Sequence, residues 1–267
     1  MVVEREKMLV IKSKDNEKFK LAKSLLKSKY RNREKKYLAE GLRTVELALE
    51  YGTEIESVFL NERFINNDEN ASVIEHLEKS TRIFVLSDEL FKNISNTENS
   101  QGIIAMIKIK DIEIEDFNIE KHKKVVILDR LQDPGNLGTI IRTADAAGFD
   151  MIIMTKGCVD LYNPKVVRSA MGSIFYMDIV STTQEKALEV LKKNKLEIVS
   201  SYLKTEKLFN KVDYSEKCAI VLGNEANGIS NFWIDNSDLL VKIPMYGKAE
   251  SLNVAISSAL LMYQINS

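Results

Sequence analysis

The amino-acid sequence predicts an α/β protein with two domains, a small α/β sandwich followed by a larger domain built on a parallel sheet. Short apolar runs alternate with helical patterns along the chain. In the second half these runs are apolar at consecutive positions, which is typical of strands buried on both faces of a parallel sheet. The polar segment "KDIEIEDFNIEKHKK" separates the halves. We therefore expect a first domain at 1–107, a linker at 108–123 and a second domain at 124–267.

The composition excludes several classes of protein. A chain of 267 residues that is 45% hydrophobic can bury a large core, and its net charge of -1 creates no general attraction to nucleic acid or membrane. No apolar run approaches the ~18 residues of a membrane span, and the charged first thirty residues do not resemble a signal peptide. Cys158 and Cys218 lie far apart without a CxxC motif, so neither a disulfide framework nor a metal site is indicated, and we expect a cytoplasmic protein. His76 and His122 stand in polar surroundings and are expected at the surface, without a catalytic role.

Residues 1–37 are strongly basic, with thirteen Lys or Arg residues against five acids. Such a cluster at one end of a chain is typical of a phosphate-binding face. Within it, Arg31, Arg33, Lys35 and Lys36 are the predicted RNA contacts. The alternative is a solvated basic helix without a partner.

Each element of the first domain has a local signal. A helix is predicted from the spacing of Leu21, Leu25 and Leu26, and Gly52 closes a second helix. Ser87 is a candidate N-cap. The predicted order is the helix "KFKLAKSLLKSKY", the strand "KKYLAEG", the helix "LRTVELALEYG", the strand "SVFL", the helix "SVIEHLEKS", the strand "RIFVL", the helix "DELFKNIS" and the strand "GIIAMIKI".

The second domain shows six buried strand patterns, each followed by a helix or by a loop rich in Gly or Asn. Ligands of parallel α/β sheets bind beyond the carboxyl ends of the strands, so the loops after the first, fifth and sixth strands are candidate sites. The predicted strands are "VVILD", "MIIM", "YMDIV", "LEIVS", "CAIVLG" and "LLVKIP".

The loop after the first of these strands reads "RLQDPGNLGTIIRTADAAG". Pro134 and Gly135 form a turn, and Asn136 can cap the helix that follows. Arg142 is a cation inside an otherwise small and apolar helix. It is either a site residue or the partner of Asp145 on a solvent face.

The other two loops are also unusual. In "GNEANGIS", Gly223 and Gly228 bracket Glu225, which favours either close approach to a ligand or a plain tight turn. In "IPMYGKAESLN", Ser251 and Asn253 precede an apolar helix. Exposed amides at that helix start favour an electron-rich group, although simple N-capping needs only one of the two residues.

Taken together, "NLGTIIRTADAAGFD", "IVLGNEANGIS" and "IPMYGKAESLNVAISSALLMYQ" resemble the three signature motifs of the SpoU/TrmH family of RNA ribose 2'-O-methyltransferases, within the SPOUT superfamily. The stretches "YLAEGLRTVELALEYG" and "TENSQGIIAMIKI" are similar to the RNA substrate-binding domain often fused to that family, which itself resembles kink-turn-binding ribosomal proteins.

The resemblance implies a deep trefoil knot in the second domain and S-adenosylmethionine as the cofactor. It also implies a homodimer through the knotted domain, for which the apolar stretch "AISSALLMY" is suited, although packing within one chain explains that stretch equally well. By motif position, the implied cofactor-binding residues are Leu222, Gly223, Ile243, Met245 and Leu252.

The implied catalytic residues are Arg142, Asn136, Glu225, Ser251 and Asn253. A guanidinium is a poor proton acceptor, so we expect Arg142 to orient a phosphate and stabilise the developing alkoxide. The other four would hold Arg142 and the loops, with Glu225 as the expected ionic partner of Arg142.

The implied activity is methylation of a ribose 2'-hydroxyl in structured RNA, with ribosomal RNA favoured by the extra domain. Transfer RNA is an alternative substrate, and a non-catalytic RNA-binding protein with the same fold is an alternative of another class. Ser169 and Ser173 lie in a stretch that departs from the family pattern and have no assigned role.

Overall fold

The computed structural model describes residues 8–267. These residues form two compact units. The first consists of the described residues through Lys110 together with Tyr162–Phe175, and the second consists of Asp111–Leu161 and Tyr176–Ser267. Both units combine helices with a sheet, which confirms the predicted α/β class.

The first unit contains a mixed five-stranded sheet with the strand order β1-β4-β3-β5-β2. The strands β1, β4 and β3 run parallel to one another, and β5 is antiparallel to both β3 and β2. The edge strand β1 was not predicted, and of its four residues only Ile11 is buried. The strands are β1 (Met8–Ile11), β2 (Lys36–Glu40), β3 (Ile55–Asn61), β4 (Arg82–Leu86) and β5 (Ile103–Lys108).

Seven helices belong to the first unit. Ser87 caps one of them as predicted, since its hydroxyl accepts a hydrogen bond from the Leu90 amide at 3.4 Å. The segment Tyr162–Phe175 packs within this unit, where the rings of Tyr162 and Tyr37 lie 4.5 Å apart. The helices are α1 (Glu17–Ser24), α2 (Ser28–Glu34), α3 (Leu42–Glu50), α4 (Glu62–Ile65), α5 (Ala71–Ser80), α6 (Asp88–Lys92) and α8 (Pro164–Ser169).

The basic N-terminal region forms two helices rather than the single predicted one. Leu25 is buried at the end of α1 and packs in a core with Phe19 of the same helix and Phe59 of the sheet. Arg31 lies in α2 and donates its Nη1 to the Leu25 carbonyl at 2.7 Å. The break therefore places a buried arginine on a carbonyl that the end of a helix leaves without a partner.

The second unit is built on six parallel strands in the order β11-β9-β10-β6-β7-β8. This confirms the predicted parallel sheet, and each of the six predicted strands is present. Four of the strands are almost entirely buried, as their apolar runs predict. The strands are β6 (Lys124–Leu128), β7 (Met151–Thr155), β8 (Asp178–Thr182), β9 (Glu197–Ser201), β10 (Cys218–Leu222) and β11 (Leu239–Val241).

Helices cover this sheet on both faces. Trp233 is fully buried and packs in one core with Ile127, Ile153 and Val221 of the sheet. The predicted linker contributes Ile114 to the same core, so its apolar residues are structural. The helices of this unit are α7 (Pro134–Ala146), α9 (Gln184–Lys193), α10 (Asn231–Asn236) and α11 (Val254–Ile265).

His122 is buried, which corrects the prediction that it lies at the surface. Its Nδ1 accepts a hydrogen bond from the Asn118 amide at 3.1 Å, so its Nε2 carries the proton and donates to Asp178 at 3.2 Å. The Lys121 ammonium contacts the same carboxylate. The charged residues around His122 suggested a surface position, but His122 and Lys121 form a structural contact between the predicted linker and Asp178 of β8.

Among the helices in the described part of the chain, none has both the length and the apolar character needed to cross a bilayer.

Candidate functional site

The strand order of the second unit places a crevice between β6 and β10. The chain continues from β6 to β7 and β8 on one side, while β9, β10 and β11 lie on the other side. Neighbouring strands whose connections diverge in this way leave a crevice beyond their carboxyl ends, where ligands of α/β sheets bind. The three unusual loops identified in the sequence begin at the ends of β6, β10 and β11.

A cavity of about 300 Å³ lies at the carboxyl ends of β9, β10 and β11. All five of the residues expected to bind a cofactor line it, as do three of the five expected to be catalytic. Its composition is mixed, because apolar side chains face it together with polar groups and a backbone turn at Gly223. The lining consists of Ser201, Leu203, Leu222, Gly223, Asn224, Glu225, Ile243, Met245, Ser251, Leu252, Asn253, Val254 and Ser257.

Gly223 is required by the turn that carries Glu225. A Cβ atom at Gly223 would lie 2.1 Å from the carbonyl carbon of Gly228, so no side chain fits there. The loop closes on itself through two backbone hydrogen bonds between Asn224 and Gly228, at 3.0 and 2.9 Å. The two glycines of "GNEANGIS" therefore serve a tight turn, and the turn presents Glu225 at the cavity.

Glu225 joins two of the three loops. Its carboxylate accepts hydrogen bonds from the Asn136 side-chain amide at 3.1 Å and from the backbone amides of Gln132 and Asp133 at 3.2 and 3.0 Å. Burial raises the pKa of Glu225, but these donors together outweigh burial and hold the pKa below its usual value. The side chain is therefore an ionised acceptor that fixes the loop after β6 to the loop after β10.

Asn253 adds the third loop to this network. Its Nδ2 donates to Oδ1 of Asn136 at 3.0 Å. Its Oδ1 caps α11 by accepting from the amides of Ala255 and Ile256 at 2.8 and 3.4 Å. Asn136 thus uses both ends of its amide, and Asp133 takes the N-cap position of α7 in its place.

Ser251 lines the same cavity, as the motif position suggests. The described residues provide no hydrogen bond to its hydroxyl, so the structure brings Ser251 to the site without assigning it a partner. Four of the five expected catalytic residues, Asn136, Glu225, Ser251 and Asn253, therefore meet at the ends of three strands.

Arg142 lies apart from these four, and the expected ion pair with Glu225 is absent from the structure of residues 8–267. It follows Asn136 by six residues of α7, which is about 9 Å along the helix and a different direction around its axis. Its side chain is exposed. The alternative pairing with Asp145 is also absent from residues 8–267, where Asp145 accepts a hydrogen bond from the Tyr176 hydroxyl at 2.5 Å. Arg142 therefore projects a cation from the outer face of α7.

A buried carboxylate that was not predicted from the sequence links the loop after β6 to the loop after β10. Asp129 follows β6 and is fully buried. It accepts from the Ser230 amide at 2.6 Å and from the Nε and Nη2 of Arg130 at 3.1 and 3.0 Å. Arg130 in turn donates to the Gly228 carbonyl at 3.3 Å. An acid that ends an otherwise apolar strand run was the available signal for this pair.

In the first unit, the four predicted RNA contacts have different environments. Arg31 is buried on the Leu25 carbonyl, so its assignment to RNA is wrong. Lys36 is one-fifth exposed and forms an ion pair with Glu56 at 2.5 Å. Arg33 is exposed, pairs with Glu34 and lies 4.9 Å from the Tyr30 ring. Lys35 is exposed and ends α2 in the left-handed conformation, with φ 51°.

Comparison with protein families matches both parts of the chain. Residues 123–263 match the model of the SpoU rRNA Methylase family. Residues 16–105 match the model of the MRM3-like substrate binding domain.

Individual relatives share nearly the whole chain. The chain is 32% identical over 258 residues to the 23S rRNA (guanosine(2553)-2'-O)-methyltransferase RlmP of Bacillus subtilis, with 97% of this chain and 99% of the relative covered. A crystal structure of an RNA 2'-O ribose methyltransferase is 30% identical, with a TM-score of 0.83 over 97% of this chain and 98% of that one. The AdoMet-bound rRNA methyltransferase from Sinorhizobium meliloti is 26% identical, with a TM-score of 0.87 over the same shares.

The loop network at the ends of β6, β10 and β11 and these comparisons agree. The three motifs fall inside the matched region, and the second family model accounts for most of the first unit. This chain is an enzyme that belongs to the SpoU rRNA methylase family of methyltransferases.

Proposed function

We propose that this protein transfers a methyl group from S-adenosylmethionine to the 2'-hydroxyl of a ribose in structured RNA, with ribosomal RNA as the substrate. The observation that carries the proposal is the hydrogen-bonded chain Glu225–Asn136–Asn253 at the rim of a cavity with apolar walls. The names of the B. subtilis relative and of one solved relative describe 2'-O-methylation of RNA, and that of the S. meliloti structure describes an rRNA methyltransferase, which supports the same assignment.

The cavity fits the cofactor in its chemistry. Apolar walls formed by Leu222, Ile243 and Met245 suit an adenine ring, and the turn at Gly223 offers backbone groups for hydrogen bonding. Leu252 closes the cavity from the start of α11 and is 37% exposed. When bound, S-adenosylmethionine would supply a methyl group on a sulfonium, which is already an activated leaving group. These five residues are the proposed cofactor-binding set.

In this proposal, the polar residues at the rim of the cavity hold the loops after β6, β10 and β11 in place. The Glu225 carboxylate already accepts three hydrogen bonds and has a lowered pKa, so it is a weak proton acceptor. Its role in the proposal is to hold the loop after β6 against the loop after β10. Through the hydrogen bonds Asn136–Glu225 and Asn253–Asn136, the starts of α7 and α11 are held to the same carboxylate. Ser251 also lines the cavity and is proposed to face the substrate.

Arg142 is the proposed substrate-facing residue of α7. An exposed guanidinium keeps its charge and cannot serve as an effective base, but it can orient a phosphate and stabilise an alkoxide as the ribose hydroxyl loses its proton. Holding the hydroxyl in line with the methyl group is the main task, since positioning alone can contribute about 7 to 11 kcal/mol.

Two features of assembly and topology are part of the proposal. The C-terminal segment supplies Ile243 to Asn253 to a cavity that also contains Leu222 and Glu225, as expected if the chain passes through a deep trefoil knot. The start and outer face of α11 carry an exposed apolar stripe at helical spacing, formed by Leu252, Ile256, Leu260 and Tyr263. This stripe supports a homodimer through the same unit.

The first unit is proposed to resemble kink-turn-binding ribosomal proteins, and the protein is proposed to work in the cytoplasm.

The test combines a reaction in vitro with a genetic map. Purified protein is incubated with radiolabelled S-adenosylmethionine and with RNA from a strain that lacks its gene, with ribosomal and transfer RNA supplied separately. Ribose-methylation mapping in the same strain should show one 2'-O-methyl lost from ribosomal RNA. If the methyl group is instead lost from transfer RNA, then transfer RNA is the substrate. If neither RNA is methylated in vitro, the proposal is refuted.

A further inference from the structure

A second cavity of about 300 Å³ lies in the first unit, between α1 and the edge of the sheet where β3 and β4 begin. Its volume lies at the lower end of the range for ligand pockets. It is distinct from the cavity in the methyltransferase unit and shares no residue with it. Its lining is Lys18, Glu56, Ser57, Arg82, Phe84 and Lys108.

The sheet register explains why these residues meet. Ser57 of β3 is opposite Arg82 of β4 and Met106 of β5, and Lys36 of β2 is opposite Lys108 of β5. Side chains two residues apart on a strand share a face, so Arg82, Ser57, Lys108 and Lys36 form a row across four neighbouring strands. Three of the four are cationic, and Lys18 of α1 adds another cation from above the row.

The charges of this row are only partly neutralised. Lys36 and Lys18 share Glu56, at 2.5 and 3.6 Å, and Lys108 pairs with Glu54. Arg82 forms no ion pair with any residue from 8 to 267. Four cations therefore face two carboxylates, which leaves an excess of positive charge around one small cavity.

Ser57 supplies an observation of a different kind. Its side chain is 2% exposed, and its hydroxyl has no hydrogen-bond partner among the described residues. A buried hydroxyl without a partner costs free energy of folding, and a bound ligand that accepts its hydrogen bond would offset that cost. Ser57 is one of the residues that line the cavity, and it lies beside Arg82 in the sheet register.

We propose that this cavity binds a phosphate group of the RNA backbone, with the Ser57 hydroxyl and the Arg82 guanidinium as donors and Lys18 as a further cation. A guanidinium next to a hydroxyl matches the acceptor oxygens of a phosphodiester. Further lysines follow in this part of the chain, at Lys20 and Lys23 of α1, at Lys27 between the two helices and at Lys29 of α2, which suits a chain of phosphates better than a single ion. This inference rests on the proposed RNA substrate.

The test uses full-length protein and a ribosomal RNA fragment that the wild-type enzyme methylates. Arg82→Gln should weaken RNA binding and reduce the slope of log affinity against log salt by about 0.7 to 0.9, the value for one lost phosphate contact. Ser57→Ala should weaken binding roughly tenfold without changing that slope, because a neutral donor releases no counterion. Lys79→Gln, which removes an exposed lysine that pairs with Glu75 elsewhere in the same unit, is the matched control and should change neither quantity beyond its small general charge effect.

A fold readout accompanies each binding measurement. Ser57→Ala removes an unpartnered buried hydroxyl, so its melting temperature should equal or exceed that of the wild type. Weaker RNA binding by a variant that is no less stable cannot then be attributed to misfolding. S-adenosylmethionine affinity should be unchanged in both variants, because the cofactor cavity lies in the other unit.

The remaining outcomes overturn the inference. Wild-type affinity and salt slope in both variants would show that RNA does not use the cavity. If inorganic phosphate raises the melting temperature of the wild type but not of Ser57→Ala, while RNA affinity is equal in the two, the cavity binds free phosphate instead. Failure of the proposed function is distinguishable, since the wild-type protein would then methylate no ribosomal RNA at all.

Discussion

The side-chain amide of Asn253 donates to Oδ1 of Asn136 at 3.0 Å, although 117 residues separate them in the chain. Asn253 also caps α11 through its Oδ1. One residue therefore performs two tasks, stabilising a helix start and holding that start against α7. The two tasks can be separated by substitution.

Asn253→Ser should keep the cap and remove the link to Asn136, because a serine hydroxyl can cap a helix but is too short to replace this amide. We expect little loss of stability and a clear loss of methyl transfer. Asn253→Ala should lose both tasks and unfold about 1 kcal/mol more easily than the serine variant. Thermal unfolding and single-turnover methyl transfer measure the two effects, and equal activity in the serine variant and wild type would reduce Asn253 to a cap.

Glu225→Gln should remove a pH-dependent part of the free energy of unfolding. The folded-state pKa of Glu225 lies below its ordinary value of 4.5, so the ionised carboxylate stabilises the fold above that pH. This contribution is lost as the pH falls through the lowered pKa. Because the side chain is exposed, the effect is no more than about 1 kcal/mol. The wild-type minus variant difference in urea denaturation should shrink from pH 6 towards pH 3 in roughly that window, and a constant difference would contradict it.

Arg142→Ala should abolish methyl transfer and leave S-adenosylmethionine affinity within a few fold. The side chain is exposed and forms no ion pair within residues 8–267, so its removal should change the free energy of unfolding by less than about 0.5 kcal/mol. Arg142→Lys keeps the charge but not the planar donor pair, and should restore only part of the rate. Calorimetry with the cofactor checks the assignment, which fails if binding is lost together with activity.

Asp129→Asn should destabilise the second unit by roughly 2 kcal/mol, since it removes the charge of a fully buried carboxylate that accepts hydrogen bonds from Ser230 and from the partly exposed Arg130. The loop that carries Glu225 is tied to Asp129 through Ser230 and Arg130, so cofactor affinity should also fall. Asp213→Asn, an exposed aspartate of the same unit, is the control. Denaturation midpoints and cofactor titration measure both effects, and a stable variant that binds cofactor normally would show that this pair is dispensable.

Ile256→Asp combined with Leu260→Asp should dissociate the proposed dimer. Both side chains belong to the exposed apolar stripe of α11, at 54% and 41% exposure, so charges there disfavour a buried interface without disturbing the core of one chain. Sedimentation should change from a dimer to a monomer of 30.4 kDa. Leu9→Asp replaces a comparably exposed leucine of β1 and should leave the mass unchanged. A wild-type protein that is already monomeric would disprove the dimer.

The sequence predicts this sheet well because burial on both faces leaves a direct trace in residue type. Runs such as "CAIVL" can only be buried, and the tight turn at Gly223 follows from the glycines themselves. The structure also brings Leu222 and Leu252 to one cavity, although 30 residues separate them in the chain, and their proposed role in cofactor binding stays a prediction.

Residue type alone did not predict which charged or polar side chains are buried. Arg31, His122 and Asp129 each look like surface residues in sequence, and each is buried on a partner between 6 and 101 positions away. Their burial depends on tertiary contacts that no local pattern records. Arg142 shows a different error, because the family resemblance suggested Glu225 as its ionic partner, whereas its side chain is exposed and forms no ion pair within residues 8–267.

The cavity proposed for the cofactor is lined by residues between 201 and 257, and Asn253 links that region to Asn136 of α7. During translation the β strands of the first unit are complete once Lys108 has left the ribosome, long before the cavity exists. A premature stop codon or a proteolytic cut after β8 would therefore release a product with the entire first sheet and none of the methyltransferase cavity. If the first unit binds RNA as proposed, such a fragment would occupy an RNA site without modifying it and would compete with the intact enzyme.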